Sequence, residues 1–106
     1  MDSKYTFDVK NDVAKIEIAG RLDANNAQGF QDELKKLSAQ AIKRIVFFVK
    51  DLEYISSAGL RAIIFAKQKL GAHANVYLIG ASEAVLSVIK MSGLENFLFI
   101  QESYTE

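Results

Sequence analysis

Two adjacent serines, Ser56 and Ser57, are the residues of this chain best placed to do chemistry. They follow the apolar run Ile45–Val49, which is typical of a buried strand, and they precede a segment predicted to be helical from about Ala58. A helix start offers unpaired backbone N–H groups and the positive end of the macrodipole, which together favour anions. A serine at this position can cap the helix, attack an electrophile or carry a phosphate. On local sequence alone, a plain cap is the commonest of the three roles.

The nucleophile role lacks a partner residue. A serine nucleophile needs a general base within hydrogen-bond reach, and the one histidine, His73, lies at the far end of the same predicted helix. A rise of about 1.5 Å per residue places it about 24 Å from Ser57, so it cannot act as that base. We expect His73 to face solvent near the helix end. The chain has no Ser-x-x-Lys pair at these serines and no Gly-x-Ser-x-Gly elbow. It also has no metal-ligand cluster and no glycine-rich phosphate loop, so we predict no cofactor and no enzymatic activity.

A stripe of side chains extends from Ser57 along the predicted helix 58–71. Ser57, Arg61 and Phe65 are spaced at i, i+4 and i+8, away from the centre of the apolar face. That face consists of Leu60, Ile63, Ile64, Ala66 and Leu70. An outward aromatic beside a helix-start serine suits a docking surface, whereas packing of Phe65 against a neighbouring helix is the plainer alternative. Arg61 can pair with a phosphate on Ser57 or remain a solvated charge.

The first part of the chain predicts a hairpin and then a helix. Apolar and polar residues alternate over 5–9 and 14–18, which indicates two strands joined across Asn11-Asp12. Asn25 or Asn26 is predicted to cap the first helix, whose apolar residues are Phe30, Leu34 and Leu37. Between hairpin and helix lies Asp23, a residue type that closes loops or caps helices more often than it does chemistry.

The second part alternates strands with helices. Residues 45–49 and 76–79 are apolar throughout, Ser82 is predicted to cap a third helix, and Gly93 suits a left-handed cap at its end. Residues 97–100 form a last short strand or a turn. This order implies right-handed βαβ units. We therefore predict an α/β fold with about three main helices and a mixed, mostly parallel sheet of four or five strands that begins with a β-hairpin.

Composition excludes several functional classes. The 106 residues suit a single domain over 1–106, and 13 basic residues balance 13 acidic ones, which argues against nucleic-acid binding. The longest apolar runs are too short to span a bilayer, and the first residues contain no apolar signal-peptide core. The chain has no cysteine, so disulfide and thiolate chemistry are absent. We expect a cytoplasmic protein that does not insert into membranes.

Several motifs in order resemble one known family. Leu52–Leu60, with the sequence Leu-Glu-Tyr-Ile-Ser-Ser-Ala-Gly-Leu, resembles the signature of the STAS domain, the family of bacterial anti-sigma-factor antagonists. Gly20–Asp23 resembles the Gly-x-Leu-Asp segment that follows the family's second strand. Three later stretches also match its landmarks: Lys69–Ala72, Val76–Gly80 and Met91–Leu94. The resemblance extends from about residue 5 to residue 100, and it implies a β-sheet with two initial strands followed by alternating helices.

The resemblance also implies a function by partner switching. Unphosphorylated members bind an anti-sigma serine kinase and so release a sigma factor or another client. The kinase phosphorylates a serine at the helix start, which abolishes tight binding, and a metal-dependent serine phosphatase restores the active form. The chain is then a substrate of an enzyme and not itself an enzyme.

Alignment on Gly59-Leu60 assigns the family's roles to residues of this chain. The phosphoacceptor falls on Ser57, with Ser56 as second choice, and Ser56 stands where an aspartate is frequent. Ala58 replaces a hydroxyl residue, and Asp23 is left as the matching acidic residue near the site. The partner-binding surface implied in this way comprises Asp23, Ser56, Ala58, Gly59, Arg61 and Phe65.

Two other functions remain open at this point. A STAS subunit of a transporter or signalling scaffold would keep the fold without the switch, with Ser57 only a helix cap. A small hydrolase would instead use Ser57 as its nucleophile. The sequence identifies neither the client nor the oligomeric state.

Overall fold

A computed structural model describes residues 4–37, 40–70 and 74–104. His73, which we predicted to face solvent near a helix end, lies outside these ranges. In chain order the elements are strands β1 (Lys4–Lys10) and β2 (Val13–Leu22), helix α1 (Ala27–Lys36), strands β3 (Arg44–Phe48) and β4 (Leu52–Ile55), helix α2 (Ser57–Phe65), a π-helical segment (Ala66–Leu70), strand β5 (Asn75–Ile79), helix α3 (Glu83–Met91), a 3-10 turn (Leu94–Phe97) and strand β6 (Phe99–Gln101). The α/β class predicted from the sequence is confirmed.

The predicted hairpin is present at the start of the chain. Strand β1 runs antiparallel to β2, with Lys4 opposite Ala19 and Lys10 opposite Val13. Asn11 and Asp12 form the two-residue turn with φ angles of 52° and 66°. These left-handed angles match the twist of a hairpin, and Asn and Asp are among the residues that adopt them most readily.

The other strand pairs are parallel, and besides β1, strand β2 pairs with two further strands along its length. The main order of the sheet is β1-β2-β3-β5-β6. The first half of β2 pairs with β3, while its end pairs with β4, and the register shifts between Gly20 and Arg21. Gly20 has a φ of 82°, and its N–H donates to the carbonyl oxygen of Asp51 at 2.9 Å. This irregularity redirects β2 from β3 to β4.

Strand β4 was not predicted from the sequence. Its four residues do not alternate in burial, because only the two end residues, Leu52 and Ile55, are buried. A short strand without period-2 alternation gives no periodic signal. This strand matters for the site, because it leads directly into Ser56 and α2.

The caps and ends predicted for the helices are found at some positions and differ at others. Ser82 Oγ accepts a hydrogen bond from Val85 N at 3.3 Å, and Gly93 is left-handed with a φ of 78°, as predicted. Asn26 occupies the N-cap position of α1, but its side chain does not cap the helix. Helix α2 ends earlier than the predicted 58–71, because a π-helical segment continues from Ala66.

All three helices contribute to one hydrophobic core beneath the sheet. Phe30 of α1 is fully buried, and its ring centroid lies 5.1 Å from that of Tyr5 and 6.3 Å from that of Phe47. The core also contains Ile63 of α2 and Ile89 of α3. The sheet therefore presents one face to the helices, and this packing fixes the start of α2.

The opposite face of the sheet carries an aromatic cluster. The Tyr77 and Phe99 rings stack at 5.0 Å, and the Tyr104 ring lies edge-on to Phe48 and Tyr77 at 6.2 and 5.3 Å. Arg44 Nη1 donates a hydrogen bond to the Tyr104 hydroxyl at 3.1 Å. The residues after β6 thus fold back over the sheet.

No helix in the described ranges is long and apolar enough to cross a membrane.

Candidate functional site

Ser56 is the residue that caps α2. Its backbone is extended, with φ −89° and ψ 174°, and its Oγ accepts a hydrogen bond from Gly59 N at 3.2 Å. Its carbonyl oxygen accepts from Leu60 N at 2.8 Å. Its own N–H donates to the carbonyl oxygen of Leu22 at 2.9 Å, which ties the helix start to the end of β2. Ser56 therefore has a structural role through both its backbone and its side chain.

Ser57 is the first helical residue and does not cap α2. Its side chain is exposed, and its hydroxyl makes no hydrogen bond to any described residue. The prediction that Ser57 caps the helix is therefore wrong, because Ser56 occupies the cap position; the scaffold function that accompanied it stays a prediction. The hydroxyl of Ser57 projects from a helix N-terminus, where the macrodipole favours an added negative charge.

Asp23 lies next to this helix start because two strand ends are in register. Leu22 pairs with Ile55 in the β2–β4 ladder, so the residues that follow them, Asp23 and Ser56, continue side by side. The Asp23 carboxylate accepts a hydrogen bond from Asn25 N at 3.0 Å, and its carbonyl oxygen accepts from Ala27 N at 2.9 Å. Asp23 therefore closes the loop between β2 and α1, as its residue type predicted.

Asn26 completes this loop in place of capping α1. Its Oδ1 accepts a hydrogen bond from Asp23 N at 2.9 Å, and its Nδ2 donates to the carbonyl oxygen of Arg21 at 2.8 Å. The amide side chain thus connects the end of β2 to the beginning of the helix. The loop that carries Asp23 is held by its own hydrogen bonds.

Arg21 and Tyr54 flank the site and were not predicted from the sequence. They are register partners in the β2–β4 ladder, and the Arg21 guanidinium carbon lies 4.2 Å from the centroid of the Tyr54 ring. Arg21 Nε also lies 3.8 Å from Asp23 Oδ2. The pairing depends on β4, which gave no periodic signal. The sequence gives no signal for the contact with Tyr54, and only the i, i+2 spacing of Arg21 and Asp23 could have indicated that these two side chains lie near each other.

Gly59 and Ala58 allow α2 to approach the sheet closely. A Cβ atom on Gly59 would lie 2.6 Å from the carbonyl oxygen of Leu22 and 3.0 Å from Ile55 Cγ1. Gly59 is buried, while Ala58 is half-buried beside it. The helix side nearest the core is therefore formed by small residues, Gly59, Ala62 and Ala66, together with Ile63. The predicted apolar face shared only Ile63 and Ala66 with this set, since Leu60, Ile64 and Leu70 are half-buried.

A groove of about 500 Å³ lies between α1 and α2 next to the serines. Its lining comprises Ala24, Ala27, Gln28, Gln31, Ala58, Arg61, Ile64, Phe65 and Gln68. Phe65 is half-buried, packs against the core, and has Lys35 Nζ 6.0 Å from its ring centroid. It therefore packs between the helices, as the plainer alternative predicted, and it also borders the groove, while docking of a partner at this surface stays a prediction. Arg61 is exposed, and the lining contains no carboxylate.

The carboxylates of α1 make hydrogen bonds on the surface of that helix. Asp32 accepts a hydrogen bond from Gln28 Nε2 at 3.0 Å. Glu33 accepts one from Lys36 Nζ at 2.7 Å, and this hydrogen bond, with the attraction of the carboxylate, raises the pKa of Lys36. Within the described ranges, no three His, Asp or Glu side chains are grouped closely enough to hold a metal ion.

Comparison with known proteins identifies the family of this chain. The family model described as the STAS domain matches residues 4–106. The chain belongs to the STAS domain family. No curated protein sequence matches it.

Solved structures share the architecture of this STAS domain at low sequence identity. An anti-sigma factor antagonist from Mycobacterium paratuberculosis superposes with a TM-score of 0.86 at 17% identity, covering 96% of this chain and 87% of that one. The Bacillus cell fate determinant SpoIIAA in its phosphorylated form gives 0.75 at 20% identity, covering 97% and 93%. A sulfate transporter family protein from Wolinella succinogenes gives 0.69 at 19% identity, covering 89% and 80%. At such identities the likeness shows the fold.

Proposed function

We propose that this STAS domain is a phosphorylation-regulated protein-binding module that acts as an anti-sigma-factor antagonist. In its unphosphorylated form it binds an anti-sigma serine kinase. Phosphorylation of Ser57 by that kinase releases it, and a serine phosphatase resets it. In this proposal residues 1–106 form one domain, and the protein works in the cytoplasm. It is a substrate of the kinase and not itself an enzyme.

The proposal rests mainly on one observation: the side chain of Ser56 caps α2, whereas the side chain of Ser57 is exposed. Ser56 Oγ is engaged by Gly59 N at 3.2 Å, whereas the hydroxyl of Ser57 is exposed on the first residue of α2. A kinase can therefore modify Ser57 without removing the cap of the helix. Modification of Ser56 would disturb the cap and the helix start. The similarity to SpoIIAA, whose structure is known in unphosphorylated and phosphorylated forms, supports the same interpretation.

Release follows from local electrostatics. Phosphorylation adds a charge of about −1.5 to −2 at neutral pH, at a helix N-terminus that tolerates it. A partner that covers Ser57 and the neighbouring groove would have to desolvate this charge, which costs several kcal/mol in order of magnitude. The isolated domain needs no rearrangement to accept the phosphate, so we expect exclusion of the partner and no large backbone change.

A test of the proposal uses an anti-sigma serine kinase encoded in the same genome. The domain is incubated with the kinase and ATP, its intact mass is measured, and fragmentation locates the modified residue. We expect the mass of one phosphoryl group on Ser57. Ser57→Ala should keep its unmodified mass, and Ser87→Ala, which alters an exposed serine on α3 away from the site, should be modified like the natural sequence.

Binding is measured in the same samples by size-exclusion chromatography. The unphosphorylated domain should elute with the kinase, and the phosphorylated domain should elute alone. Binding without phosphorylation by a kinase that is active on another substrate would favour a constitutive scaffold, a role compatible with the similarity to the transporter family protein. A phosphate located on Ser56 would contradict the assignment of the acceptor.

A further inference from the structure

Arg61 is an exposed cation with no partner in the described structure. It lies on α2 and lines the groove beside Ala58. Its guanidinium makes no hydrogen bond, ion pair or ring contact with a described residue. The π-helical continuation of α2 adds Lys67 and Lys69, so the whole stretch 57–70 contains basic residues and no acidic one. Nothing on the helix itself neutralises Arg61.

The position of Arg61 relative to Ser57 is the one that favours an ion pair on a helix. Residues at i and i+4 have Cβ atoms about 5–6 Å apart, and an acidic group that precedes a basic one by four residues is the better orientation. Long side chains on helices also point toward the N-terminus, which directs Arg61 toward the turn that begins with Ser57. A guanidinium can donate two parallel hydrogen bonds to a phosphate.

The other arginine near the site is already engaged. Arg21 lies over the Tyr54 ring at 4.2 Å and within 3.8 Å of the Asp23 carboxylate. These contacts hold it on the β2–β4 side of the helix start, and its charge is offset by that of Asp23. Glu53, on β4, is exposed. Of the two arginines near the first turn of α2, Arg61 is thus the one without a contact to a described residue.

We propose that Arg61 is the intramolecular counter-ion of a phosphate on Ser57, an inference that rests on the phosphorylation proposed above. In the unphosphorylated domain Arg61 presents a free guanidinium to an acidic side chain of the partner, at a groove without carboxylates. Phosphorylation then has two effects at once: it adds negative charge at the surface and it withdraws this cation from the partner.

The test measures the second ionisation of the phosphate without any kinase. Phosphoserine is incorporated at position 57 during translation, and its phosphorus NMR signal is followed as pH is varied. An adjacent guanidinium stabilises the dianion, so Arg61→Gln should raise the pKa of this ionisation by about 0.5 unit relative to the unsubstituted arginine. Arg61→Lys should restore most of the difference, and higher salt should reduce it.

Lys69→Gln is the matched control, because it removes the same charge from an exposed position near the end of the π-helical segment. It should shift the titration by no more than about 0.1 unit at moderate salt. Equal titration curves for Arg61→Gln and Lys69→Gln would overturn the assignment of Arg61. That outcome is distinct from failure of the proposed function, which is judged by whether a kinase modifies Ser57.

Discussion

At the scale of single residues, Ser56 and Ser57 have different roles, because only Ser56 caps α2. Ser56 Oγ accepts the hydrogen bond from Gly59 N, and the exposed Ser57 hydroxyl makes none in the described structure. The two residues have the same side chain, so their difference arises only from where the helix begins. An N-cap serine contributes about 1 kcal/mol to stability, whereas a serine at the next position contributes little.

Ser56→Ala should therefore lower the free energy of unfolding by about 1 kcal/mol, because it removes the acceptor for Gly59 N. Ser56→Asn, which keeps a side-chain acceptor, should recover most of this loss. Ser57→Ala should change stability by less than about 0.5 kcal/mol. Urea unfolding monitored by circular dichroism measures all three. A larger loss for Ser57→Ala than for Ser56→Ala would contradict the assigned cap.

The local sequence located this pair of serines but could not tell which of them caps α2, and only the family resemblance assigned the phosphoacceptor to Ser57. Both residues are favourable N-caps, and a shift of the helix start by one position exchanges their environments. The hydrogen bond from Ser56 N to the Leu22 carbonyl oxygen decides the position, and it joins residues far apart in the chain. Such a contact leaves no local pattern in the sequence.

At the scale of elements, the close approach of α2 to the end of β2 positions the site. Gly59 makes it possible, because any Cβ at this position would lie 2.6 Å from the Leu22 carbonyl oxygen. The approach also brings the β2–α1 loop with Asp23 next to the start of α2. The hairpin, the buried strands and the third helix were predictable from periodicity and caps, but this approach was not, since it depends on the unpredicted strand β4.

The substitution Gly59→Ala tests the close approach of α2 to the end of β2. The gain in helix propensity is about 1 kcal/mol, but the clash with a backbone carbonyl costs about 1–3 kcal/mol, so we expect a net loss of about 1 kcal/mol. Gly29→Ala in α1 is the matched control, because the atom nearest to its Cβ would be Tyr5 Oη at 3.5 Å. That variant should be stabilised by up to about 1 kcal/mol. Thermal and urea unfolding of both variants provide the measurement, and a stabilised Gly59→Ala variant would refute the proposed clash.

At the scale of the whole molecule, the two faces of the sheet are covered differently. The helices pack on one face, and Tyr104, beyond the last strand, packs over the other. On that face Val46 is fully buried, although it does not belong to the core cluster beneath the helices. The aromatic residues were visible in the sequence, but their convergence depends on the pairing order of β3, β5 and β6, which a single sequence does not specify.

Removal of Tyr104 should weaken the fold without changing the site. Tyr104→Phe loses the hydrogen bond with Arg44, at a cost of about 0.5–1 kcal/mol in this half-buried position. Tyr104→Ala also loses the ring contacts with Phe48 and Tyr77 and should cost about 2 kcal/mol. Urea unfolding gives both values, and phosphorylation of Ser57 serves as the control that should remain unchanged. If Tyr104→Ala is as stable as the natural sequence, the packing of Tyr104 over the sheet contributes nothing to the free energy of unfolding.

The contact between Arg21 and Tyr54 has an optical consequence. The chain contains no tryptophan, so its intrinsic fluorescence comes from four tyrosines. Tyr77 and Tyr104 lie in the aromatic cluster, and Tyr5 packs against Phe30. Tyr54 lies beneath Arg21 on the strand that leads into Ser56. The natural protein therefore carries an intrinsic fluorophore beside the proposed phosphorylation site, and we expect the proposed docking of a partner to change its tyrosine emission.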